Sequence, residues 1–369
     1  MRPWYTIDNP EALDTPALVI YPDRVAHNIV VMKSFVDDVN RIRPHIKTNK
    51  CAEVIRMMMD AGIRKFKCAT IAEAEVAAEV GVADLLLAYQ PYGPRIARFC
   101  TLIKKFPQTT FACLVDNEAT LLHLRDAAAA ADVGIRIFID LNVGMNRTGI
   151  APGPAALALA QRIAETPRVA LVGLHAYDGH LRDPDFAERS RKCDTAFAPV
   201  QQLADEIQGA TGISPVIVAG GTPTFPIHSK REDVEVSPGT FIFWDDGYDR
   251  ILEEQPFEFA ALVVARVISK PDGETVCLDL GHKSIASENS LDKRVTFLNH
   301  QGLVPAGHSE EHLVLKTSER DTLEVGDVLY GVPYHICPTV ALYDEAAVCR
   351  NHRIEGTWNI AARRKRINI

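Results

Sequence analysis

The feature that most constrains this chain is an alternation that runs through its first 220 or so residues. Ala17 to Tyr21, Arg41 to Thr48, Lys65 to Thr70, Asp84 to Tyr89, Thr109 to Asp116, Arg136 to Asn142, Val169 to Tyr177 and Pro215 to Ala219 read as strands. Between them lie periodic, often Ala- and Glu-rich segments such as Ile71 to Val80, Asn117 to Ala131, Gly153 to Glu165 and Pro184 to Gln208. Eight strand-then-helix units in roughly 250 residues are what a (β/α)8 TIM-type barrel needs, with a doubly wound open sheet as the competing α/β architecture. After about Trp244 the pattern changes to short β-rich runs, among them Ala260 to Ser269, Glu274 to Leu280 and Ala346 to Arg350. Turn signals such as Pro271-Asp272-Gly273 separate them. The expected organisation is an arm over residues 1–16 packing on the β domain, a barrel over 17–248, and an all-β domain over 249–369.

Composition narrows the function classes. The chain has 369 residues, 47% hydrophobic and 24% charged, with a net charge of -8. That acidity argues against binding a phosphate backbone, and the one basic run, Arg363-Arg364-Lys365-Arg366, reads as a solvated tail, so no nucleic-acid partner is expected. No apolar run is long enough to span a bilayer, and Met1 to Pro10 has no signal-peptide core. The eight cysteines are dispersed without a CxxC pair, which suits reduced thiols in a cytoplasmic protein.

One strand is unusual. In Arg41 to Lys50, period-two alternation puts Arg43, His45, Lys47 and Asn49 on one face and Ile42, Ile46 and Thr48 on the other. Read alone, it fits either an exposed edge strand or a barrel strand whose last lysine faces the mouth, where desolvation makes an amine nucleophilic. The other strand ends favour the mouth: Tyr89-Gln90, Asn142 to Arg147, Tyr177 to His180 and Gly220 to Thr222 are all polar. Gly220-Gly221-Thr222 and Ser237-Pro238-Gly239-Thr240 offer backbone amides and hydroxyls to a phosphate. A strand-end lysine and a phosphate cradle in one mouth suggest pyridoxal 5'-phosphate, the lysine forming the imine.

The resemblance then becomes specific. Asp140-Leu141-Asn142-Val143-Gly144-Met145-Asn146-Arg147-Thr148-Gly149 is similar to the arginine motif of alanine-racemase-like, fold-type III pyridoxal phosphate enzymes. Arg43-Pro44-His45-Ile46-Lys47-Thr48, Gly220 to Thr224 and Pro333-Tyr334-His335-Ile336-Cys337-Pro338-Thr339-Val340 resemble their D-threonine aldolase and D-serine dehydratase branch. The resemblance implies that Lys47 carries the cofactor, that Arg147 bonds its phenolate, and that Tyr177 lies beside its ring. It further implies that Gly221, Thr222, Gly239 and Thr240 hold its phosphate. Ser237 stands where racemases usually place an arginine, which leaves the pyridine a better electron sink. Asn49 stands where this branch commonly has a histidine. A homodimer is expected by resemblance alone.

His335 and Cys337 are two apart, so on a strand both would leave one face and grip one cation, with open positions left for water or substrate. The donors favour zinc, with manganese as the alternative. His308 and His312 form a second histidine pair, expected to serve a turn or a supporting role. The implied reaction acts on a D-β-hydroxy-α-amino acid whose hydroxyl meets the metal. With His180 as candidate base and His335 in the catalytic set, retro-aldol cleavage gives glycine and an aldehyde. Removal of the Cα proton instead would give a 2-oxo acid and ammonia, a D-serine or 3-hydroxyaspartate dehydratase. The branch favours the aldolase, and a non-catalytic pyridoxal phosphate carrier is disfavoured by the β domain with its His-x-Cys pair.

Overall fold

The computed structural model describes residues 2–317 and 323–369. The chain forms two compact units. One comprises Met32–Lys47, Ile55–Gly239 and Arg364–Ile369, and the other Met1–Val31, Thr48–Val54 and Thr240–Arg363.

The first unit holds seven parallel strands in chain order: β2 (Lys65–Cys68), β3 (Asp84–Leu87), β4 (Thr110–Val115), β5 (Ile135–Leu141), β6 (Val169–Ala176), β7 (Val216–Ala219) and β8 (Val234–Val236); β1 belongs to the other unit. Residues 42–46 bridge the two edges of this sheet, Ile42 pairing with Val236 and His45 with Lys67. Backbone bonds run both ways: Arg43 N–H donates to Val236 C=O, and Ile46 N–H to Lys67 C=O. The ring therefore has eight staves, as the alternation implies. The stave at 42–46 is irregular because Pro44 has no N–H to give to a ladder.

One expected barrel strand lies outside the ring, and one stave of the ring is not among the expected strands. Ala17–Ile20, β1, is not in the ring but in the antiparallel sheet of the second unit. It pairs with β9 (Ala261–Asp272) on one side and β15 (Glu345–Arg350) on the other. An apolar strand with Leu18, Val19 and Ile20 all buried suits a central position covered on both faces. The stave missing from the sequence reading is β8, only three residues long and preceded by Arg231-Glu232-Asp233. Too short to show a period, it was hidden by its flanking charges.

Alternate residues of the staves fill the ring in layers. At one end the buried Arg43 donates to Glu235 and Asp84, both at 2.6 Å, and Lys65 also pairs with Glu235. Above them Leu86, Ala112, Leu114, Phe138 and Val218 form an apolar plug. Gly173 makes room for it, since a Cβ there would meet Val216 O at 2.0 Å and the Phe138 ring at 2.6 Å. Next comes a polar layer of Lys67, Asp140 and His175, followed by the mouth.

Among the described residues the sheet of the second unit has nine strands. Besides β1, β9 and β15 these are β10 (Thr275–Leu278), β11 (Val295–Phe297), β12 (Val304–His308), β13 (Leu313–Lys316), β14 (Val328–Pro333) and β16 (Arg353–Asn359). Ile7 and Leu13 of the N-terminal arm pack with Val19, Leu262, Val264 and Tyr330 in its core. All eight cysteines are free thiols, and no helix among the described residues is long and apolar enough to cross a membrane.

Candidate active site

At the mouth of the barrel a cavity of about 720 Å³ is lined by residues that include Lys47, Tyr89, Arg95, Asp116 and Arg147. Lys47 ends the irregular stave, its backbone N–H donating to His45 Nδ1 at 3.2 Å. Its Nζ lies 5.7 Å from the centroid of the Tyr177 ring, and the Arg147 guanidinium carbon 5.1 Å from the same ring. Lys47, Arg147 and Tyr177 are thus brought together.

The loop that carries Arg147 explains its motif. Asn142 Oδ1 accepts the Gly144 and Asn146 amides, and Asn142 and Ile150 close the loop with backbone bonds. Gly149 (φ +97°) leaves no room for a side chain, since a Cβ would lie 2.6 Å from Asn142 N. Asp116 accepts the Gly149 amide at 3.0 Å, and Gln90 joins Asp116 to Asp140. The asparagines and glycines of that motif build the platform that presents Arg147. His180 is exposed, and its ring packs against Gly144, where a Cβ would come within 2.9 Å of Nε2.

Gly220 adopts φ +80°, and a Cβ on Gly221 would lie 2.8 Å from the Tyr177 ring, so this cradle is open only to glycine. Gly221 N–H donates to Thr224 Oγ1, whose hydroxyl donates to Asp178 at 2.6 Å. Gly239 N–H donates to Thr222 Oγ1 at 3.2 Å. Ser237 is turned away, its hydroxyl donating to the Arg43 carbonyl.

Asp178, Cys193 and His228 are buried with their ligating atoms within 4.8 Å of one another. Hydrogen bonds occupy that cluster. Arg231 donates to His228 Nδ1 at 2.8 Å, so Nε2 carries the proton and donates to Asp178 at 2.8 Å. Burial pushes the Cys193 thiol up to about 12. Burial also works to raise the Asp178 carboxyl, but hydrogen bonds from His228 and the Thr224 hydroxyl help hold it below the usual range. The cluster braces the glycine turn.

The polar layer beneath Tyr177 carries no motif of its own in the sequence. His175 Nδ1 lies 2.8 Å from Asp140 Oδ1 and its Nε2 3.5 Å from Lys67 Nζ. Burial acts to raise the Asp140 carboxyl, but the hydrogen bonds of His175, Thr148 and Gln90 together help hold it below the usual carboxylate range. Nδ1 is therefore the protonated nitrogen, and burial keeps the rest of the imidazole neutral. Period two from Tyr177 and Ala69 was the signal available for His175 and Lys67.

In the second unit, His335 and Cys337 do not lie on a strand. His335 is the N-cap of the short helix Ile336–Val340, and Cys337 sits in its first turn, where Pro338 is tolerated. The two side chains still meet, because they are hydrogen-bonded to each other. His335 Nδ1 lies 2.5 Å from Glu288 Oε1. Burial works to lower the imidazole, but Cys337, Asp245 and Glu288 raise it to about 9. Cys337 Sγ lies 3.1 Å from the Thr48 hydroxyl and 3.5 Å from that of Thr240. Asp245, buried beside the helix start, accepts the Ile336 amide at 3.1 Å, and burial pushes its carboxyl up to about 6. Asn49 is buried, and its Nδ2 has no hydrogen-bond partner among the described residues. His308 has both nitrogens engaged, by Arg294 and the Leu280 carbonyl, and His312 is exposed. The division between the units falls between Lys47 and Thr48 and between Gly239 and Thr240.

Residues 20–246 match the family described as alanine racemase, N-terminal domain, and residues 260–349 match a putative serine dehydratase domain. The chain is 29% identical to a D-threonine aldolase of Arthrobacter sp. over 95% of its own length and 93% of that protein's. It is 26% identical to the D-threo-3-hydroxyaspartate dehydratase of Delftia sp. (strain HT23), over 90% of this chain and 93% of that one. Among solved structures, the D-threonine aldolase of Filomicrobium marinum superposes with a TM-score of 0.88 at 26% identity, covering 97% of this chain and 98% of the other. With its ring of parallel staves, glycine cradle and C-terminal antiparallel sheet, the chain belongs to the alanine racemase N-terminal domain family.

Proposed function

We propose that the chain is a lyase dependent on pyridoxal 5'-phosphate and a divalent metal. It acts on D-β-hydroxy-α-amino acids by retro-aldol cleavage, as a D-threonine aldolase does. The observation that carries this reading is the convergence of Lys47 and Arg147 on the Tyr177 ring at a cavity of about 720 Å³. A cationic mouth beside a cradle that only glycine fits suits an anionic, phosphorylated ring. The relatedness to the Arthrobacter enzyme over nearly the whole chain supports the choice of reaction.

In this reading the cofactor, when bound, supplies an electron sink for the pair left at Cα. Lys47 holds it through Nζ, Arg147 donates to its ring oxygen, and Gly221, Thr222, Gly239 and Thr240 bind its phosphate. Ser237, tied to Arg43 O, brings no cation to the ring. His335 and Cys337 offer an imidazole and a thiol, a donor pair suited to zinc and compatible with manganese, and such a cation makes a neighbouring hydroxyl more acidic. Glu288 on Nδ1 orients the His335 ring. His180 takes the hydroxyl proton at a ring nitrogen; it is exposed, with its ring against Gly144 of the loop that carries Arg147. The expected assembly is a homodimer in the cytoplasm.

The dehydratase reading rests on Cys337, whose thiol a D-serine dehydratase-like site also places two residues after a histidine. Metal-reconstituted protein incubated with D-threonine and with D-serine, and assayed separately for glycine plus aldehyde and for 2-oxo acid plus ammonia, decides between them. Glycine without oxo acid is the expected result; oxo acid and ammonia as the main products reject the aldolase.

A further inference from the structure

Three cationic side chains, not two, surround the Tyr177 ring. Besides Lys47 and Arg147, Lys67 places Nζ 5.8 Å from its centroid. Lys67 is 2% exposed and is inside the barrel on β2. It forms no ion pair among the described residues, and its one polar side-chain neighbour is His175 Nε2 at 3.5 Å. A buried lysine is normally paired with a carboxylate, and without one its ammonium form is costly. The carboxylate of the same layer, Asp140, is taken by His175 Nδ1.

The charges facing Lys67 come from several staves. Lys47 and Arg43 on the irregular stave oppose its proton, while Asp140 on β5 and Asp178 just past β6 favour it; Arg147 faces the same layer across His175. Burial, followed by the Lys47 charge, brings its amine down to about 7. Lys67 and Lys47 share one ring and repel one another.

We propose that Lys67 is a positioning residue of the Lys47 site, a second buried amine whose charge disfavours a proton on the Lys47 nitrogen. Acting through the field at Tyr177, it keeps that nitrogen a base and nucleophile near neutral pH, and His175 with Asp140 fixes where its own amine sits. This rests on the reading that Lys47 carries the cofactor. Lys67 touches no reacting atom.

The test is a pH titration of the visible absorbance of cofactor-loaded protein, which reports the protonation of the Lys47–cofactor nitrogen without turnover. Lys67→Met removes the charge and buries an apolar chain of similar length; Lys67→Arg keeps a cation at every pH. The midpoint is expected to rise by about one pH unit in Lys67→Met, the scale of two like charges several ångströms apart at an effective dielectric of about 20. In Lys67→Arg it should stay at or below the wild-type value. A purely structural role would lower the melting temperature of the variants and leave the midpoint where it was, and that result overturns the inference. Lys47→Ala separates the inference from the reading beneath it. If the band vanishes in Lys47→Ala while Lys67→Met leaves the midpoint unchanged, only the inference fails. If the band survives in Lys47→Ala and disappears when Lys67→Met is added, Lys67 is the attachment point and both fail.

Discussion

Thr224 donates its hydroxyl to the Asp178 carboxylate at 2.6 Å, and the same hydroxyl oxygen accepts the Gly221 amide. The pair therefore clamps the glycine turn from beneath. Asp178→Asn puts an amide donor against the Thr224 and His228 donors in a fully buried site. The expected cost is about 3 kcal/mol, read as a lower urea midpoint, because a buried network that loses one charged member leaves the others unsatisfied. Cofactor affinity, measured by fluorescence titration, should weaken with it. An unchanged urea midpoint would remove Asp178 from this role.

Gly173 offers a steric test of the barrel interior. Ala at this position places a methyl 2.0 Å from Val216 O and 2.6 Å from the Phe138 ring, so β6 and β7 must part or the plug must repack. The loss should reach several kcal/mol, whereas Gly134→Ala, with open space at its Cβ, serves as the neutral control. Melting temperatures of the two variants should differ by several degrees.

The pH dependence of stability follows from Lys67. Its folded amine titrates at about 7 and an unfolded lysine near 10.4. Between these values the unfolded chain binds the proton and the folded chain does not, so stability rises with pH across that window. Below about 7 both forms are protonated and the burial cost is fully present. Urea unfolding of cofactor-free protein should show Lys67→Met gaining on the wild type by a few kcal/mol near pH 6.5, a margin that shrinks toward pH 10. A margin that stays flat over this range would contradict the assignment.

Removal of metal should separate the two halves of the proposed chemistry. His335→Ala and Cys337→Ser are expected to lower bound zinc or manganese, measured by elemental analysis, and to cut turnover by ~100-fold or more. The visible cofactor band should persist, because Lys47, Arg147 and Tyr177 are untouched. Loss of the band together with the metal would show that the His335 region also holds the cofactor.

Much of this was legible in the sequence because the information is local. Lys47 and Arg147 stand in short motifs with a definite neighbourhood, and the strand-helix alternation gives the ring its eight staves. What escaped is either short or distant in the chain. β8 has three residues beside a charged run, and β1 takes its partners from far along the sequence. The two-residue spacing of His335 and Cys337 suits a strand, yet Asp245 accepts the Ile336 amide at a helix start, a contact no neighbouring residue announces. Asp178 and His228 lie 50 residues apart. Lys67 looks like an ordinary edge cation until the ring closes round it.

The placement of β1 bears on the order in which the chain is made. Ala17 pairs with Val264 and Val19 with Ala347, so one of the first strands to leave the ribosome waits for partners made roughly 250 and 330 residues later. Every stave of the ring is complete by Val236. The barrel is thus free to close during synthesis, while the antiparallel sheet must await nearly the whole polypeptide with an apolar strand uncovered. Slow translation beyond residue 240 lengthens the interval in which Leu18, Val19 and Ile20 are open to chaperones or to another nascent chain.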